Sequence, residues 1–337
     1  MLTKYRATIE DKAALADILG ANLHENEPLA RHTSFRIGGP ADFLARVTDE
    51  DTMLAVLKIC RSRDIPVLVL GNGTNILISD LGWRGLVIEN RLTEVTLHEL
   101  PDGTALLQAG SGAVLGSVAR KVAKDGWSGF EFAATIPGSV GGGVVNNAGA
   151  HGGDFSTVMT RVAVATMAGE RQILTPAEFE LRRQILQPAE MGLAYRHSRW
   201  RERVGMAKAA SGDTGNELIL WAEFHLHQGN KTEIKTHIDE MTNWRRAKQP
   251  QEPNAGSIFK NPPAPLPAAG RLIEQAGLKG KQIGGAQISP KHANFVVNMG
   301  GATAADVLAL ISLVKQTVRE QSGVELELEV ELLGEWE

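Results

Sequence analysis

VLVLGNGTNILISD, Val67 to Asp80, is the stretch around which this chain has to be read. Val67–Leu70 is a short apolar run of the length of a buried strand. It breaks into GNGTN (Gly71, Asn72, Gly73, Thr74 and Asn75) and resumes as ILISD, Ile76–Asp80. Glycines let the backbone turn with positive φ. Successive amides in such a turn can form an anion nest, and Thr74 and Asn75 add side-chain donors. A second loop has the same character: IPGSVGG, with Ile136, Pro137, Gly138, Ser139, Gly141 and Gly142, followed by GVVNNAGAHGG. A glycine turn running into a helix N-terminus is a ready anion site, because the first amides are unpaired and the dipole is favourable. One such loop reads as a tight turn. Two, each flanked by Asn, Ser or Thr donors, point to a ligand carrying a pyrophosphate.

Outward from these loops the pattern predicts strands at ADFLARV (41–47), RGLVIEN (84–90), TEVTLHE (93–99), TALLQAG (104–110), TRVAVATMAG (160–169) and ELILWAEFHLH (217–227). Helices are expected at 10–20, 49–63 and 113–125, the last ended by Gly126. Near 228–236 the composition changes. A charged helix at 232–249 leads into the proline-broken QPQEPNAG, then helices at 268–277 and 304–322 with KQIGGAQIS and ANFVVN extended between them. Thr303 and Asp306 have the spacing of a capping box, and Gly323 can end that helix. VELELEVELLG closes the chain as an expected alternating strand, 324–333. Strands concentrated in the first two thirds and helices flanking a small sheet in the last third make the fold class α+β.

The 337 residues suit two domains or three small ones, and 43% hydrophobic with 22% charged residues is globular usage. A formal net charge of −4 gives no basic face for nucleic acid. The single cysteine, Cys60, excludes an internal disulfide and sits at helical spacing with Met53, Val56 and Leu57 as a packing residue. The N-terminal residues carry charges throughout with no signal-type apolar region. No run approaches the roughly 18 apolar residues of a membrane span. A cytoplasmic protein without membrane insertion is expected, and no metal site. AGSGAVLG (Ala109–Gly116) follows a strand and precedes a helix, but Leu115 stands where a dinucleotide fingerprint needs its third glycine. No GxxxxGK[ST] is present.

The segments HTSFRIGGPADF (His32–Phe43), LGNGTNILISD (Leu70–Asp80), GFEFAATIPGSVGGGVVNNAGAHGG (Gly129–Gly153), YRHS (Tyr195–Ser198), NAGSIFKNP (Asn254–Pro262), AGRLIEQAGLKGKQIGGAQISPKHANFVVN (Ala269–Asn298) and LELEVELLG (Leu326–Gly334) occur in this order. Together they closely resemble the UDP-N-acetylenolpyruvoylglucosamine reductase (MurB) family, from about residue 27 to 334. The resemblance implies an FAD-binding domain of the vanillyl-alcohol-oxidase (PCMH) type over 27–231, in two subdomains split near 64. It implies a C-terminal α+β substrate-binding domain over 232–334. It also implies bound FAD, NADPH as hydride donor, UDP-N-acetylglucosamine enolpyruvate as substrate and UDP-N-acetylmuramate as product, in a monomer. The short span between YRHS and NAGS looks more like the type lacking a long substrate-covering loop, although RERVGMAKAASGDTG (201–215) is longer than expected there. His151 and Thr135 depart from the family pattern beside the flavin.

Residue roles come from the same resemblance. Ser257 matches the proton donor, Arg196 the arginine that binds the enolpyruvyl carboxylate and stabilises the enolate, and Glu329 the catalytic acid. Nothing local separates Glu329 from Glu325, Glu327 and Glu331, since period-two alternation alone makes all four a solvated face. Tyr195, Lys260, Asn261 and His292 fall at substrate or nicotinamide contacts, and for His292 a structural role is equally open. Arg246 falls where a basic residue meets phosphates, with Arg245 and Lys248 as competing choices. Ser34, Phe35, Arg36 and Gly38 are expected in a strand lining the flavin. The rival readings are another FAD oxidoreductase of the same superfamily and a non-catalytic flavin- or sugar-nucleotide-binding protein.

Overall fold

The computed structural model describes residues 5–167, 181–201 and 217–336. The outer end of the expected strand 160–169 and nearly all of RERVGMAKAASGDTG lie outside the described residues. The chain forms two units. The first is Met1–Glu27, Asp42–Asn72 and Arg84–Asn243; the second is Pro28–Ala41, Gly73–Trp83 and Trp244–Glu337.

In the first unit two layers share a sheet. A six-stranded antiparallel sheet runs Leu181–Leu186, Met159–Met167, Glu217–Gln228, Thr104–Gly110, Val95–Glu99, with Trp127–Ser128 also paired to Glu217–Gln228. Successive strand residues face opposite sides. Val162, Val164, Ala222 and Phe224 therefore enter one core, and Ala163, Ala165 and Trp221 another. Ala163 pairs with Trp221 and Val164 with Ile219, so Leu220 is an extra residue. That bulge shifts the alternation and turns Leu220 to the same side as Trp221.

The first core holds the helix Leu115–Asp125, whose Leu115, Val118, Ala119, Val122 and Ala123 repeat at helical spacing. The helix Lys231–Lys248 adds Ile234, Ile238 and Met241. Phe130, Phe132, Phe155 and Phe224 cluster there with ring centroids 4.6 to 6.2 Å apart. The second core packs helices Ile9–Leu19 and Glu50–Ser62 on a four-stranded sheet, Leu23–Pro28, Pro40–Val47, Trp83–Asn90, Val67–Leu70. Cys60 lies in that core, 1% exposed, where burial pushes its thiol up to about 12, so it packs as a neutral group.

The second unit is built on a four-stranded antiparallel sheet, Asn254–Ser257, Phe295–Asn298, Ala286–Ile288, Gln282–Ile283. Helices Ala269–Gln275 and Ala304–Ser322 pack on it around Phe259, Leu272, Val296, Leu310 and Val314. The capping box forms, with Thr303 Oγ1 accepting from Asp306 N at 3.1 Å and Asp306 accepting from Thr303 N at 3.0 Å. Asp80 adds a second cap, accepting from the Ala304 and Ala305 amides at 2.8 and 3.0 Å. Phe35, Ile37 and Leu77 join this core from the two early segments.

Two expectations are corrected. The closing segment is not one regular strand over 324–333: only Glu331–Leu333 is, paired parallel to Ile76–Ile78. Before it, Leu328 bridges to Phe259, and Lys260 N donates to Glu327 O at 2.9 Å. Glu329 N and Val330 N still donate to Ile258 O, and the segment changes partners only at Glu331, although Leu326, Val330 and Leu332 stay buried. Likewise Ser34–Gly38 is a turn. Arg36 N donates to Thr33 O, the Thr33 hydroxyl bonds Ile37, and Arg36 has φ +56°.

Candidate active site

In the first unit the two glycine loops meet. A Cβ on Gly71 would lie 2.3 Å from Ser139 Oγ, so only glycine allows the approach. Ser139 caps the short helix Val140–Val145 through Gly142 N at 3.3 Å. The helix terminus itself is not open to an anion as its sequence suggests. Val140 N donates to Ala113 O at 2.9 Å and Gly141 N to Ser111 O at 2.8 Å. The open donors lie one step earlier: the amides of Gly138 and Ser139, and that of Asn72 opposite, take no acceptor among the described residues. Ile136 N is used by Ala133 O.

YRHS is a tight turn in the same unit. Ala194 N donates to His197 O at 3.1 Å and His197 N to Ala194 O at 3.0 Å, leaving Tyr195 and Arg196 at the tip. Tyr195 is 63% exposed, and the half-buried Arg196 guanidinium carbon lies 5.7 Å from its ring centroid.

In the second unit the remaining candidates gather on the NAGS strand. Asn254 pairs with Val297 but Ser257 with Phe295, an offset of one residue. Gly256, at φ +79°, takes the bulge, and its amide donates to Asn254 Oδ1 at 2.8 Å. The bulge re-aims Ser257, which stays half-buried. Ser34 Oγ lies 2.7 Å from Asn254 O and 3.1 Å from Gly73 O, beside both the NAGS strand and the glycine loop. Asn75 Nδ2 donates to Glu329 O at 3.2 Å, and Glu331 N donates back to Asn75 O at 3.0 Å. Glu329 N donates to Ile258 O at 2.8 Å. Ser257, Glu329, Ser34 and the Gly73–Asn75 loop therefore share one hydrogen-bonded backbone network.

The other candidates have more local surroundings. Lys260 Nζ pairs with Glu327 Oε2 at 3.3 Å. Asn261 Oδ1 accepts from Ala269 N at 3.1 Å, capping the helix Ala269–Gln275. His292 packs edge-on to Phe295 at 4.9 Å, and its Nδ1 accepts from Asn294 N at 3.3 Å. Arg246 is exposed and its carbonyl accepts from Lys291 Nζ at 2.6 Å, while Arg245 donates to Gln249 Oε1 at 2.6 Å and Lys248 is exposed.

Residues 249–333 match the family model for the UDP-N-acetylenolpyruvoylglucosamine reductase C-terminal domain, and residues 41–175 match an FAD binding domain. A UDP-N-acetylenolpyruvoylglucosamine reductase of Symbiobacterium thermophilum is 42% identical over 91% of this chain and 91% of its own length. This chain belongs to the UDP-N-acetylenolpyruvoylglucosamine reductase family. The reductase of Agathobacter rectalis is also 42% identical, over 93% of this chain and 95% of the relative. The crystal structure of the family member from Thermus caldophilus superimposes with a TM-score of 0.70 at 31% identity, covering 91% of this chain and 97% of that one. The fold is accordingly the α+β arrangement of an FAD-binding PCMH-type domain with the family's C-terminal domain.

The loops of this family member fit the flavin's pyrophosphate. The backbone amides of Asn72, Gly138 and Ser139, in the loops that meet at Gly71 and Ser139, take no acceptor among the described residues, and open N–H groups suit phosphate oxygens. Sequence reasoning missed the residues that hold the site in shape. Asn294, 4% exposed, accepts from Phe259 N at 3.0 Å and donates to Phe259 O at 2.8 Å, fixing the chain two residues past Ser257. Asn147 and Ser198 anchor the Arg196 turn. Asn and Ser in motif segments were visible signals, but their partners are 35 to 53 residues away in sequence.

Proposed function

We infer that this chain reduces UDP-N-acetylglucosamine enolpyruvate to UDP-N-acetylmuramate, with FAD bound and NADPH as the hydride source, in peptidoglycan precursor synthesis. Bound FAD, once reduced by NADPH, supplies the hydride that adds to C3 of the enolpyruvyl group. The chain's own residues manage the charge and the proton. Arg196 pairs its planar guanidinium with the substrate carboxylate, where negative charge builds as the enolate forms. The Ser257 hydroxyl delivers the proton to C2. A serine is a weak acid, so this requires close placement and nearby positive charge as the proton leaves, which Lys260 and Arg246 can provide. Glu329 helps stabilise or protonate the enolate.

Asn72, Gly138 and Ser139 hold the flavin's pyrophosphate, with Gly71, Gly73, Thr74, Asn75, Ile136, Pro137, Gly141 and Gly142 shaping that cradle. Arg246 meets a phosphate, and Tyr195, Asn261 and His292 contact the substrate. The flavin region spans 27–231 and the substrate region 232–334. The enzyme works as a cytoplasmic monomer, in keeping with its single, buried cysteine.

The observation that carries this reading is the network joining both ends of the Ser257 segment, Asn254 and Ile258, to Ser34, Gly73, Asn75 and Glu329. It gives a proton donor and an acid a common, fixed frame, which proton transfer to a defined carbon needs. The test is Ser257→Ala followed by its two half-reactions. NADPH should still bleach the flavin at the wild-type rate, while reoxidation by the sugar nucleotide should fall by about 10²–10⁴-fold, the usual worth of a positioned general acid. Normal rates in both halves would remove Ser257 from the mechanism.

A further inference from the structure

We propose that Asn147 is a positioning residue for Arg196, fixing the turn through which the enzyme grips the substrate carboxylate. The proposal rests on the reading of Arg196 as the carboxylate-binding arginine. Asn147 is 3% exposed and has φ +39°, a left-handed conformation that asparagine tolerates and most residues resist. Its side chain is fully engaged. Nδ2 donates to Ala194 O at 3.0 Å, and Oδ1 accepts from Ser156 N at 3.1 Å.

Ala194 O thus takes two donors, His197 N from inside the turn and the Asn147 amide from outside it. The first closes the turn. The second ties the turn to the rest of its unit. Neighbours of Asn147 reinforce the tie, since Ser198 Oγ donates to Val145 O and Arg201 donates to Asn146 Oδ1. Three consecutive residues, Val145 to Asn147, therefore hold Ala194, Ser198 and Arg201 on either side of Arg196 and His197. These three residues span the C-terminal end and cap of the helix Val140–Val145, whose N-cap is Ser139 of the glycine loop. One short element thus carries the phosphate-loop residue at one end and the arginine turn at the other.

A guanidinium–carboxylate pair depends on placement, and a misplacement of about 1 Å commonly costs about 10²-fold in rate. Of the three ties, only that of the Asn147 amide meets a carbonyl that also closes the turn, Ala194 O, two residues from Arg196. Asn147→Asp keeps the acceptor for Ser156 N and the tolerance for positive φ. It replaces the donor with an oxygen facing Ala194 O, which repels the turn while leaving its internal bond in place.

The test uses the FAD-loaded full-length enzyme and two ligands that differ in the lactyl group that bears the carboxylate. By calorimetry, Asn147→Asp should weaken UDP-N-acetylmuramate, which bears the carboxylate, by about tenfold or more, the worth of a hydrogen bond to a charged group. UDP-N-acetylglucosamine, which lacks that carboxylate, should bind as it does to the wild type. Reoxidation of the reduced flavin by the enolpyruvyl sugar nucleotide should fall by about 10²-fold while NADPH bleaching is unchanged. In an Arg196→Lys background the same substitution should add little, as expected of two residues acting as one unit. Asn147→Gly removes both side-chain bonds without straining the backbone, and it repeats the ligand comparison should Asn147→Asp fail to accumulate. Equal weakening of both ligands, or wild-type behaviour towards both, would overturn the proposal and leave the activity standing. A wild-type enzyme that neither binds UDP-N-acetylmuramate nor is reoxidised by the enolpyruvyl substrate would instead overturn the functional reading beneath it.

Discussion

At His292 packing decides protonation. Burial lowers the imidazole below its ordinary value of 6.5, Lys279 lowers it further, and Glu274 opposes them. The geometry agrees, because Nδ1 accepts from Asn294 N and so carries no proton in the native ring. The fold therefore favours the neutral form. Its contribution to stability is fully present above the unfolded value and is lost as pH falls through the lower folded value. Between about pH 7.5 and about pH 5.5 the urea midpoint of the wild type should drop more steeply than that of His292→Gln. Parallel curves would assign the pH dependence to other groups. The sequence left His292 open between substrate contact and structure; its Phe295 and Asn294 contacts give it a structural part whatever it does for the substrate. Ser257 was legible only through the company of its motif. By itself a serine after glycine is a turn residue, and it took the offset pairing of Asn254–Ser257 with Phe295–Asn298 to show what the preceding glycine is for.

Elements here depend on single side chains that substitute for missing ladder bonds. The NAGS strand ends at Ser257, and beyond it Asn294 satisfies both the N–H and the C=O of Phe259 from the side. Phe259 is 2% exposed, so those two groups have little access to water when the amide is removed. Asn294→Ala should cost about 2–5 kcal/mol from two buried unsatisfied groups, read as a fall in the urea unfolding free energy. Asn294→Asp keeps the acceptor for Phe259 N but sets a buried carboxylate oxygen against Phe259 O, so it should cost at least as much. A smaller loss in Asn294→Asp than in Asn294→Ala would mean that the amide donor to Phe259 O contributes little. Periodicity located the longer helices and most strands of the described residues to within a few positions, but it gave no strand at Leu23–Pro28 or Leu181–Leu186 and read Asn254–Ser257 as part of a connection. It also misread two segments as regular strands. The closing segment VELELEVELLG alternates as a strand should, and Leu326, Val330 and Leu332 do face the core, yet its hydrogen bonds pass from Ile258–Lys260 to Asn75–Ile78. Periodicity reports which face is buried, not which neighbour supplies the bonds. Ser34–Gly38 similarly reads as extended, but the Thr33 hydroxyl folds it into a turn.

Over the whole molecule, chain order and tertiary unit diverge. The second unit takes Pro28–Ala41 and Gly73–Trp83 from the N-terminal part as well as Trp244–Glu337. The early segments supply Phe35, Ile37 and Leu77 to its core, the strand partner of Glu331–Leu333, and the Asp80 cap of the helix Ala304–Ser322. A fragment of residues 244–337 should therefore fail to fold alone, giving no cooperative thermal transition by circular dichroism and rapid proteolysis. A sharp transition in that fragment would show that the early segments are dispensable.

What the sequence determined by itself was the class of chemistry and the inventory of elements. Two glycine loops with Asn, Ser and Thr donors implied phosphate binding because the backbone requirements of such loops are local. The ordered motifs implied the family because their order along the chain is itself the signal. Only the tertiary structure decided which amides remain open in those loops. The terminus of the helix Val140–Val145 is closed by Ala113 and Ser111, and the amides without an acceptor among the described residues include Gly138, Ser139 and Asn72. Only the tertiary structure gave the alternating acidic residues different backbone partners: Glu327 O accepts from Lys260 N, Glu329 bonds Ile258 and Asn75, and Glu331 N donates to Asn75 O. The physical reason is the same in both cases. Local conformation is set by each residue and its near neighbours, whereas the pairing of a backbone donor depends on whichever distant carbonyl packing brings within reach.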